Sequence, residues 1–409
     1  MAVNLSPPDP KSLLDIRGVK LGFAEAGIRK SGRRDLMLMT LSPGTRVAGV
    51  FTQNSFAAAP VEVCRETLAR SGAIRALIVN AGNANCGTGE AGLTASRRTC
   101  DAVAAALGCK PAEVLPFSTG VILEHLPVDR IETALPRCVA SLGESNWADA
   151  AAAIMTTDTV SKAYSRSVTI GGRRICVTGM AKGVGMLQPN MATMLAFMAT
   201  DAPVSGTALN QMVREVADVS FNRVTVDGDT STNDSFILVA TGAAGGSEIT
   251  SPGESGYSEL RSAISDVAVL LAQAIARDGE GATKFITVTA AGAASADEAL
   301  AVARSIANSP LVKTAFFASD PNLGRLIMAV GNAGIRGLDT SRIDIHLGNV
   351  RVIHQGGRAE SYREEDGSRE MKQPEIAVRV DLGRGAVQTT VWTCDYSYDY
   401  VKINAEYRT

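Results

Sequence analysis

A threonine near the middle of the chain stands between a glycine-rich loop and an apolar run. Ala192 and Thr193 follow a Pro189-Asn190 turn signal, and every residue from 194 to 199 is apolar. A turn before an apolar run of this length predicts a tight loop, with Thr193 as the first residue of a buried strand. A hydroxyl held at such a junction is a candidate nucleophile.

A threonine hydroxyl reacts as a nucleophile only when a base takes its proton. A cut before Thr193 would create an α-amine beside Oγ, and the reference pKa of about 8 leaves part of that amine neutral near pH 7. Thr193 would make the cut itself by attacking the carbonyl of Ala192, if the loop is strained toward it. The alternative is an ordinary turn before a core strand, and the spacing alone does not decide between the two.

Other segments carry side chains that suit an active site, namely Thr119-Gly120, Thr156-Thr157, Lys182 and Glu280. A hydroxyl followed by glycine can direct an O–H and an N–H at one oxyanion, although a plain turn uses the same residues. The lysine would bind a carboxylate or be a surface charge. The glutamate, between two glycines, would pair with an ammonium or belong to a helix C-terminal stop. The two threonines would also suit a helix end.

Strand and helix patterns alternate along the chain around these residues, without an internal repeat. Strands are predicted at residues 36–41, 47–51, 76–80, 223–226, 236–240 and 285–289, with a hairpin around Gly171-Gly172. Helices are predicted at residues 60–71, 91–107, 127–142, 147–155, 209–219, 258–275, 296–306 and 323–330. From residue 343 the pattern is mainly β. Sheets mixed with helical layers are therefore expected, not a pure βαβ repeat.

Composition excludes several classes of protein. The chain of 409 residues has room for two or three lobes, and its net charge of −2 does not favour nucleic acid or an anionic membrane surface. No apolar run reaches 18 residues, so no membrane span is expected. The first twenty residues lack the apolar core of a signal peptide, and seven cysteines without a CxxC pair indicate reduced thiols in a cytoplasmic protein.

Metal and nucleotide motifs are absent or imperfect. The three histidines form no HExxH motif and accompany no GxSxG elbow, so neither a histidine zinc site nor a Ser-His-Asp triad is expected. Residues 87–92 fit GxGxxG, but residues 80–86 separate them from the preceding strand, which favours a helix-entry turn. Residues 227–233 imitate a calcium loop, but Thr232 replaces the turn glycine and Leu238 replaces the bidentate glutamate.

The segment 180–201 resembles the self-cleaving junction of the ornithine acetyltransferase family, also called the bifunctional glutamate N-acetyltransferase family of arginine biosynthesis. The similarity covers nearly the whole chain, and several long motifs in the right order make it specific. These motifs are Asn80-Ala81-Gly82-Asn83-Ala84-Asn85, Pro116-Phe117-Ser118-Thr119-Gly120-Val121-Ile122, Met155-Thr156-Thr157-Asp158-Thr159, Thr225-Val226-Asp227-Gly228-Asp229-Thr230-Ser231-Thr232-Asn233-Asp234, Asp320-Pro321-Asn322 and Asn404-Ala405-Glu406-Tyr407-Arg408-Thr409.

The resemblance implies a fold and a reaction. The fold is of class α+β, a layered α/β/β/α sandwich of the type found in this family and in self-cleaving aminopeptidases, with a mainly β C-terminal part. The chain would cut itself between Ala192 and Thr193 into an α chain of 1–192 and a β chain of 193–409, which assemble as an α2β2 heterotetramer. Thr193 would then carry acetyl from N-acetylornithine to glutamate. No metal or cofactor is expected, and whether acetyl-CoA also donates acetyl stays open.

The resemblance also assigns roles to single residues. Thr119 and Gly120 would stabilise the oxyanion, and the substrate contacts would be Thr156, Lys182, Thr193, Glu280, Asn404 and Thr409. Thr157 stays an alternative to Thr156. A chain end normally frays, so a structured tail would support the last two contacts. The chain departs from the family pattern at Leu123, where relatives usually have a glycine, and this change is expected to reshape the pocket rim.

Two other functions stay open. A self-cleaving aminopeptidase of related fold would pass the acyl group to water, and a non-catalytic relative would remain uncut. Lys182, Glu280 and the tail offer opposite charges to an amino-acid substrate, which favours the acetyltransferase.

Overall fold

In a computed structural model, residues 2–70, 73–188 and 194–406 are described, and they form three sheets with helical layers. The strands are β1 (Val19–Ala24), β2 (Leu36–Leu41), β3 (Arg46–Phe51), β4 (Ala76–Asn83), β5 (Val114–Val121), β6 (Lys162–Ile170), β7 (Arg173–Lys182), β8 (Leu195–Thr200), β9 (Ser235–Ala240), β10 (Phe285–Ala293), β11 (Asp344–Leu347), β12 (Val350–His354), β13 (Gly357–Arg358), β14 (Glu375–Asp381) and β15 (Val387–Cys394). The helices are α1 (Ala59–Arg70), α2 (Gly89–Leu107), α3 (Val128–Ala140), α4 (Trp147–Ala153), α5 (Gly206–Val219), α6 (Tyr257–Arg277), α7 (Ala296–Ala307), α8 (Pro310–Phe317), α9 (Leu323–Gly331), α10 (Glu364–Met371) and α11 (Tyr398–Glu406).

Two sheets pack face to face in the first two-thirds of the chain. Sheet I has the strand order β1-β2-β4-β5, and sheet II has the order β3-β9-β8-β7-β6. Because side chains alternate along a strand, Met37 and Met39 of β2 face sheet II, whereas Leu36 and Leu38 face α2 and α3. Sheet II in turn buries its other face against α5 and α6. The predicted α/β/β/α sandwich is therefore confirmed.

The contact between the two sheets explains why their strands read as continuous apolar runs. Strand β8 places Leu195 and Phe197 between the sheets and Met198 against the outer helices, so all six of its residues are buried. Phe197 meets Phe117 of β5 edge to face across the layer, with ring centroids 5.0 Å apart. A strand buried on both faces cannot show polar alternation.

Sheet III holds the rest of the chain, in the order β13-β12-β11-β14-β10-β15. Its core packs against α7 and α9, and the strand β10 runs parallel to β14 and antiparallel to β15. The predicted mainly β part after residue 343 contains five strands, together with α10 and α11. Phe285 and Trp392 join this sheet to the core beneath α6.

Two differences from the predicted elements have clear physical reasons. Strand β5 was not predicted, because Pro116 and Gly120 disfavour strand; the proline is tolerated since β5 lies at the edge of sheet I. The predicted strand 223–226 is wrong: a 3-10 turn (Phe221–Arg223) precedes one isolated bridge from Val224 to Trp392. The buried Val224 and Val226 pack into the core without forming the hydrogen-bond ladder of a strand.

The cysteines are mostly buried in the cores of the sheets. All seven thiols are unpaired, and five of them are buried, namely Cys64, Cys86, Cys100, Cys138 and Cys394. Burial raises the pKa of the Cys138 thiol to about 12, so this cysteine is core filler. Among the described residues, no helix combines the length and the apolar character that crossing a membrane requires.

Candidate active site

A cavity of about 430 Å³ opens where the ends of β5, β7 and β8 meet. All of the predicted site residues that the structure describes line it: Thr119, Gly120, Thr156, Lys182, Glu280 and Asn404. Ala192, Thr193 and Thr409 lie outside the described residues. Met194 and Leu195, the residues that directly follow the predicted nucleophile, also line the cavity. The structure therefore brings together residues from both sides of the predicted junction.

Thr119 and Gly120 lie near the end of strand β5, so the alternative interpretation of the pair as a plain turn is wrong. Parallel pairing with β4 places Gly120 opposite Gly82, with a register shift immediately after. Gly120 has a φ of +136°, and a Cβ there would lie 2.2 Å from the carbonyl carbon of Gly82. Only glycine fits a backbone approach this close, which explains the residue that follows Thr119.

Buried asparagines hold these strand ends in place. Asn80 donates to the carbonyl of Asn83 at 2.8 Å and accepts from the Ser118 hydroxyl at 2.7 Å. Asn233, from the loop after residue 225, donates to the carbonyls of Ala84 and Ser118. The side-chain amides thus donate hydrogen bonds to backbone carbonyl groups at the strand ends, and they keep Thr119 next to the loop 225–234.

Lys182 is the last residue of β7, and its buried side chain reaches the predicted oxyanion residue. Its Nζ donates to Thr119 Oγ1 at 3.0 Å. An ammonium has donors only, so the oxygen of Thr119 accepts and the hydroxyl proton is left for another acceptor. Burial lowers the pKa of Lys182, while Asp158 and Glu280 act in the opposite direction.

Glu280 stands just beyond the end of α6, between two glycines, and its carboxylate faces the cavity. Oε1 accepts from the Thr157 hydroxyl at 3.1 Å, and Oε2 accepts from the Asn404 amide at 2.9 Å. A Cβ on Gly185 would lie 2.3 Å from Oε2, so a side chain there would displace the carboxylate of Glu280. Burial raises the pKa of Glu280, and the two hydrogen bonds oppose that rise.

The threonine pair approaches the cavity from the loop after α4. Both residues line it, but their polar groups differ in partners. Thr157 donates its hydroxyl to Glu280, whereas the backbone N–H of Thr156 donates to Asp158 Oδ2 at 3.1 Å. The choice of Thr156 as the substrate contact stays a prediction, and Thr157 already has a role in placing the glutamate.

The loop 225–234 holds the segment that leads to the predicted junction. Asp227 accepts the backbone N–H groups of Met186 and Leu187, each at 2.6 Å, one on either oxygen. Gln188 adds a backbone bond to the carbonyl of Asp229 at 2.9 Å. Both carboxylate oxygens of Asp227 thus accept hydrogen bonds from backbone N–H groups of the segment before the junction. Within the described ranges no cluster of metal-ligating side chains occurs.

Sequence reasoning missed several residues that line this cavity beside the predicted site residues. Asp227 and Asn233 were seen only as part of a motif, and Tyr400 of α11 was not singled out at all. The alternating hydroxyl, amide and carboxyl residues of 225–234 were the available signal. None of the three histidines lines the cavity, and the GxGxxG segment leads into α2 at Gly89, as a helix-entry turn does.

The departure at Leu123 has a visible consequence. Leu123 adopts a φ of +68° and leaves 74% of its surface exposed, next to Ile122 at the cavity. This left-handed backbone favours glycine, and a leucine there is strained by about 1 kcal/mol. Leu123 itself does not line the cavity, so a change of the rim at this position stays a prediction, while Thr119 and Gly120 lie within strand β5.

The tail is structured up to Glu406. Helix α11 buries none of its residues completely, yet Tyr400 and Asn404 face the cavity. Ser397, just before the helix, donates to the carbonyl of Gly281 at 2.6 Å and so ties the tail to the Glu280 loop. The last three residues, including Thr409, are outside the described ranges.

The protein is of class α+β, and its two-sheet sandwich carries a polar cavity at its strand ends, with the cation of Lys182 and the carboxylate of Glu280 in its lining. The family model described as ArgJ family matches residues 20–409, and the chain belongs to that family. Membership assigns the protein to the acetyltransferases of arginine biosynthesis.

Solved structures similar to this chain include two that are more than 30% identical to it over about half of its length. The arginine biosynthesis bifunctional protein argJ from Bacillus halodurans is 38% identical over 51% of this chain and 96% of its own, with a TM-score of 0.49. The ornithine acetyltransferase from Mycobacterium tuberculosis, complexed with ornithine, is 35% identical over 44% and 94%, with a TM-score of 0.38. An aminopeptidase from Ochrobactrum anthropi is 12% identical over 68% and 88%, with a TM-score of 0.41.

Proposed function

We propose that this protein transfers acetyl from N-acetylornithine to glutamate through an acetyl-threonine on Thr193, after it cuts itself between Ala192 and Thr193. The pieces are an α chain of 1–192 and a β chain of 193–409. One observation carries the proposal: a single cavity gathers Thr119, Lys182 and Glu280 beside Met194, the residue next to the nucleophile.

The chemistry follows from the amine that the cut creates. The α-amine of Thr193 takes the proton of Oγ, which attacks the acetyl carbonyl; the carbon–nitrogen bond to ornithine then breaks and the amine returns the proton to the leaving group. In the second half, the amine of glutamate attacks the acetyl-enzyme and Thr193 Oγ leaves with a proton. Neither half needs a metal or a nucleotide.

Thr119 and Gly120 are proposed to stabilise the oxyanion that forms in each half-reaction. The hydrogen bond from Lys182 leaves the Thr119 hydroxyl proton available to the developing charge. Removing one such donor typically lowers turnover by about two to three powers of ten.

The charges of the cavity suit an amino-acid substrate. Lys182 offers a cation to a carboxylate, and Glu280 offers an anion to the ammonium of ornithine. We propose Thr156, Asn404 and Thr409 as further substrate contacts. We also propose that the pieces form an α2β2 assembly in the cytoplasm. The assay described below tests whether acetyl-CoA is a second acetyl donor.

Intact-mass analysis of the wild type and Thr193→Ala tests the first step. Two fragments that meet at 192/193 in the wild type, and one chain of 42.6 kDa in the variant, are expected. A wild-type enzyme that stays uncut and transfers acetyl normally would overturn the mechanism. Assays with N-acetylornithine plus glutamate, with acetyl-CoA, and with a peptide amide then separate an acetyltransferase from an aminopeptidase.

A further inference from the structure

Beneath the cavity lies a buried group of charges that the proposed reaction does not use directly. Lys162, the first residue of β6, has no exposed side-chain surface. Its Nζ donates to Asp158 Oδ1 at 2.8 Å, to Asp278 Oδ2 at 2.7 Å and to the carbonyl of Val160 at 3.0 Å. The three donors of the ammonium are therefore all satisfied.

Asp158 joins two walls of the cavity through one carboxylate. Oδ2 accepts the backbone N–H of Thr156, in the wall that also holds Thr157. Oδ1 accepts the backbone N–H of Gly183 at 2.9 Å, in the wall that holds Lys182. The carboxylate therefore sets the spacing between these two segments.

Asp278 belongs to a third wall of the cavity, namely the segment that follows the end of α6 and continues to Glu280. Its Oδ2 accepts the backbone N–H of Thr159 at 3.0 Å, and its Oδ1 accepts the Thr159 hydroxyl. The side chain of Asp278 is buried, as is that of Asp158. Lys162 is thus the cation between two buried carboxylates that belong to different walls.

We propose that Lys162 is a positioning residue, which holds the three walls of the cavity at the spacing that an amino-acid substrate requires. The inference rests on the proposed function, because it concerns the residues that would bind ornithine and N-acetylornithine. Two buried carboxylates without the lysine would repel each other and draw in water or protons, so the walls would separate. Small displacements of binding groups are costly: about 1 Å can reduce a rate a hundred-fold.

The test compares Lys162→Met with Lys284→Met, since both remove a buried lysine. Lys284 donates to the Ser319 hydroxyl at 2.8 Å and to the carbonyl of Met371, which are not cavity residues. We expect Lys162→Met to raise KM for N-acetylornithine and Kd for ornithine by about ten- to a hundred-fold. Lys284→Met is expected to lower the melting temperature and leave both constants unchanged.

The split between KM and kcat distinguishes positioning from stability alone. A merely structural role would lower the active fraction, and thus the apparent kcat, at unchanged KM and Kd; that result would overturn the inference. If Lys162→Met does not fold, Asp278→Asn decides by the same constants: a rise of KM and Kd supports the inference and unchanged values overturn it. A wild type without acetyl transfer would overturn the proposed function, and this inference with it.

Discussion

At the scale of single residues, the contact between Lys182 and Thr119 decides what the threonine can do. An ammonium 3.0 Å from Oγ1 makes that oxygen an acceptor, so the hydroxyl donates elsewhere. The same lysine is placed to meet a carboxylate in the cavity. One buried cation thus orients the hydroxyl of the proposed oxyanion donor and, in the proposed function, also offers its charge to the carboxylate of the substrate.

Replacement of Thr119 by valine removes the hydroxyl and keeps the shape of the side chain. We expect kcat to fall by about two to three powers of ten with little change in KM, because the lost donor serves the transition state. Steady-state kinetics with N-acetylornithine and glutamate measure the effect, and Thr119→Ser is the control that keeps the hydroxyl. A valine variant with normal kcat would exclude Thr119 as an oxyanion donor.

The pKa shifts of Glu280 and Lys182 predict a narrowed pH range for ornithine binding. Burial raises the pKa of Glu280, so its anion is lost as pH falls at values where an exposed glutamate is still charged. Burial lowers the pKa of Lys182, so its cation is lost earlier as pH rises. Calorimetric Kd values for ornithine should therefore rise both as the pH falls through the pKa of Glu280 and as it increases through the pKa of Lys182.

Glu280→Gln provides the control for the acid side of this profile. The variant has no carboxylate to titrate. Its affinity for ornithine, which is already lower than that of the wild type, should therefore not decrease further as the pH is lowered through the pKa of Glu280. An acid limb identical to that of the wild type would show that another group controls it.

At the scale of elements, the predicted junction lies between two segments that hydrogen bonds hold in place: the loop that precedes it and strand β8, which follows it. The loop 225–234 binds residues 186–188 through Asp227 and Asp229, and β8 pairs with β7 and β9 from Leu195 onward. Ser235 also donates its backbone N–H to the carbonyl of Met194 at 2.9 Å. Both flanks of the junction are therefore fixed by backbone hydrogen bonds.

Asp227→Asn should slow self-cleavage. An asparagine has one acceptor oxygen for the two N–H groups of Met186 and Leu187, so one donor loses its partner and the loop before the junction loosens. The measurement is the half-life of the uncut chain, followed by denaturing electrophoresis after synthesis. Asp229→Asn is the matched control, because the contact of Asp229 with Gln188 uses its backbone carbonyl. Equal half-lives for both variants and the wild type would contradict this role.

At the scale of the whole molecule, the proposed cut runs through sheet II. Strands β3, β6 and β7 precede residue 192, whereas β8 and β9 follow it. The order β3-β9-β8-β7-β6 therefore places two strands of the second piece between strands of the first. Among the strands of the described residues, sheet I comes entirely from the first piece and sheet III entirely from the second, whereas sheet II contains strands of both.

The two pieces should consequently remain associated after cleavage. Six residue pairs join β3 to β9 and six join β7 to β8, and separation would expose these edges and the apolar core. Size-exclusion chromatography of the cut protein should give one species that contains both pieces, which separate only in denaturant. Elution of isolated pieces under native conditions would contradict this arrangement.

Much of the fold was accessible from local pattern. The hairpin at Gly171-Gly172 joins β6 to β7 as predicted, and the helices at 296–306 and 323–330 match α7 and α9 within one residue at each end. Strand β5 escaped because Pro116 is allowed only by its edge position, a property of the sheet and not of the segment. The helix α11 was also missed, since its residues show no apolar stripe and none is buried.

The position of a strand after the Ala192-Thr193 pair could be predicted from the chain alone, because turn signals and apolar runs are local properties of the backbone. The polar segments expected at the site came from the resemblance to a family, since local pattern left an ordinary structural role open for each of them. Three contacts became known from the three-dimensional arrangement: Lys182 with Thr119, Thr157 with Glu280, and Lys162 with two buried carboxylates. The partners in the first two contacts, and Lys162 and Asp278, are far apart in the chain. Their meeting depends on strand order and on the packing of layers, which no local periodicity records.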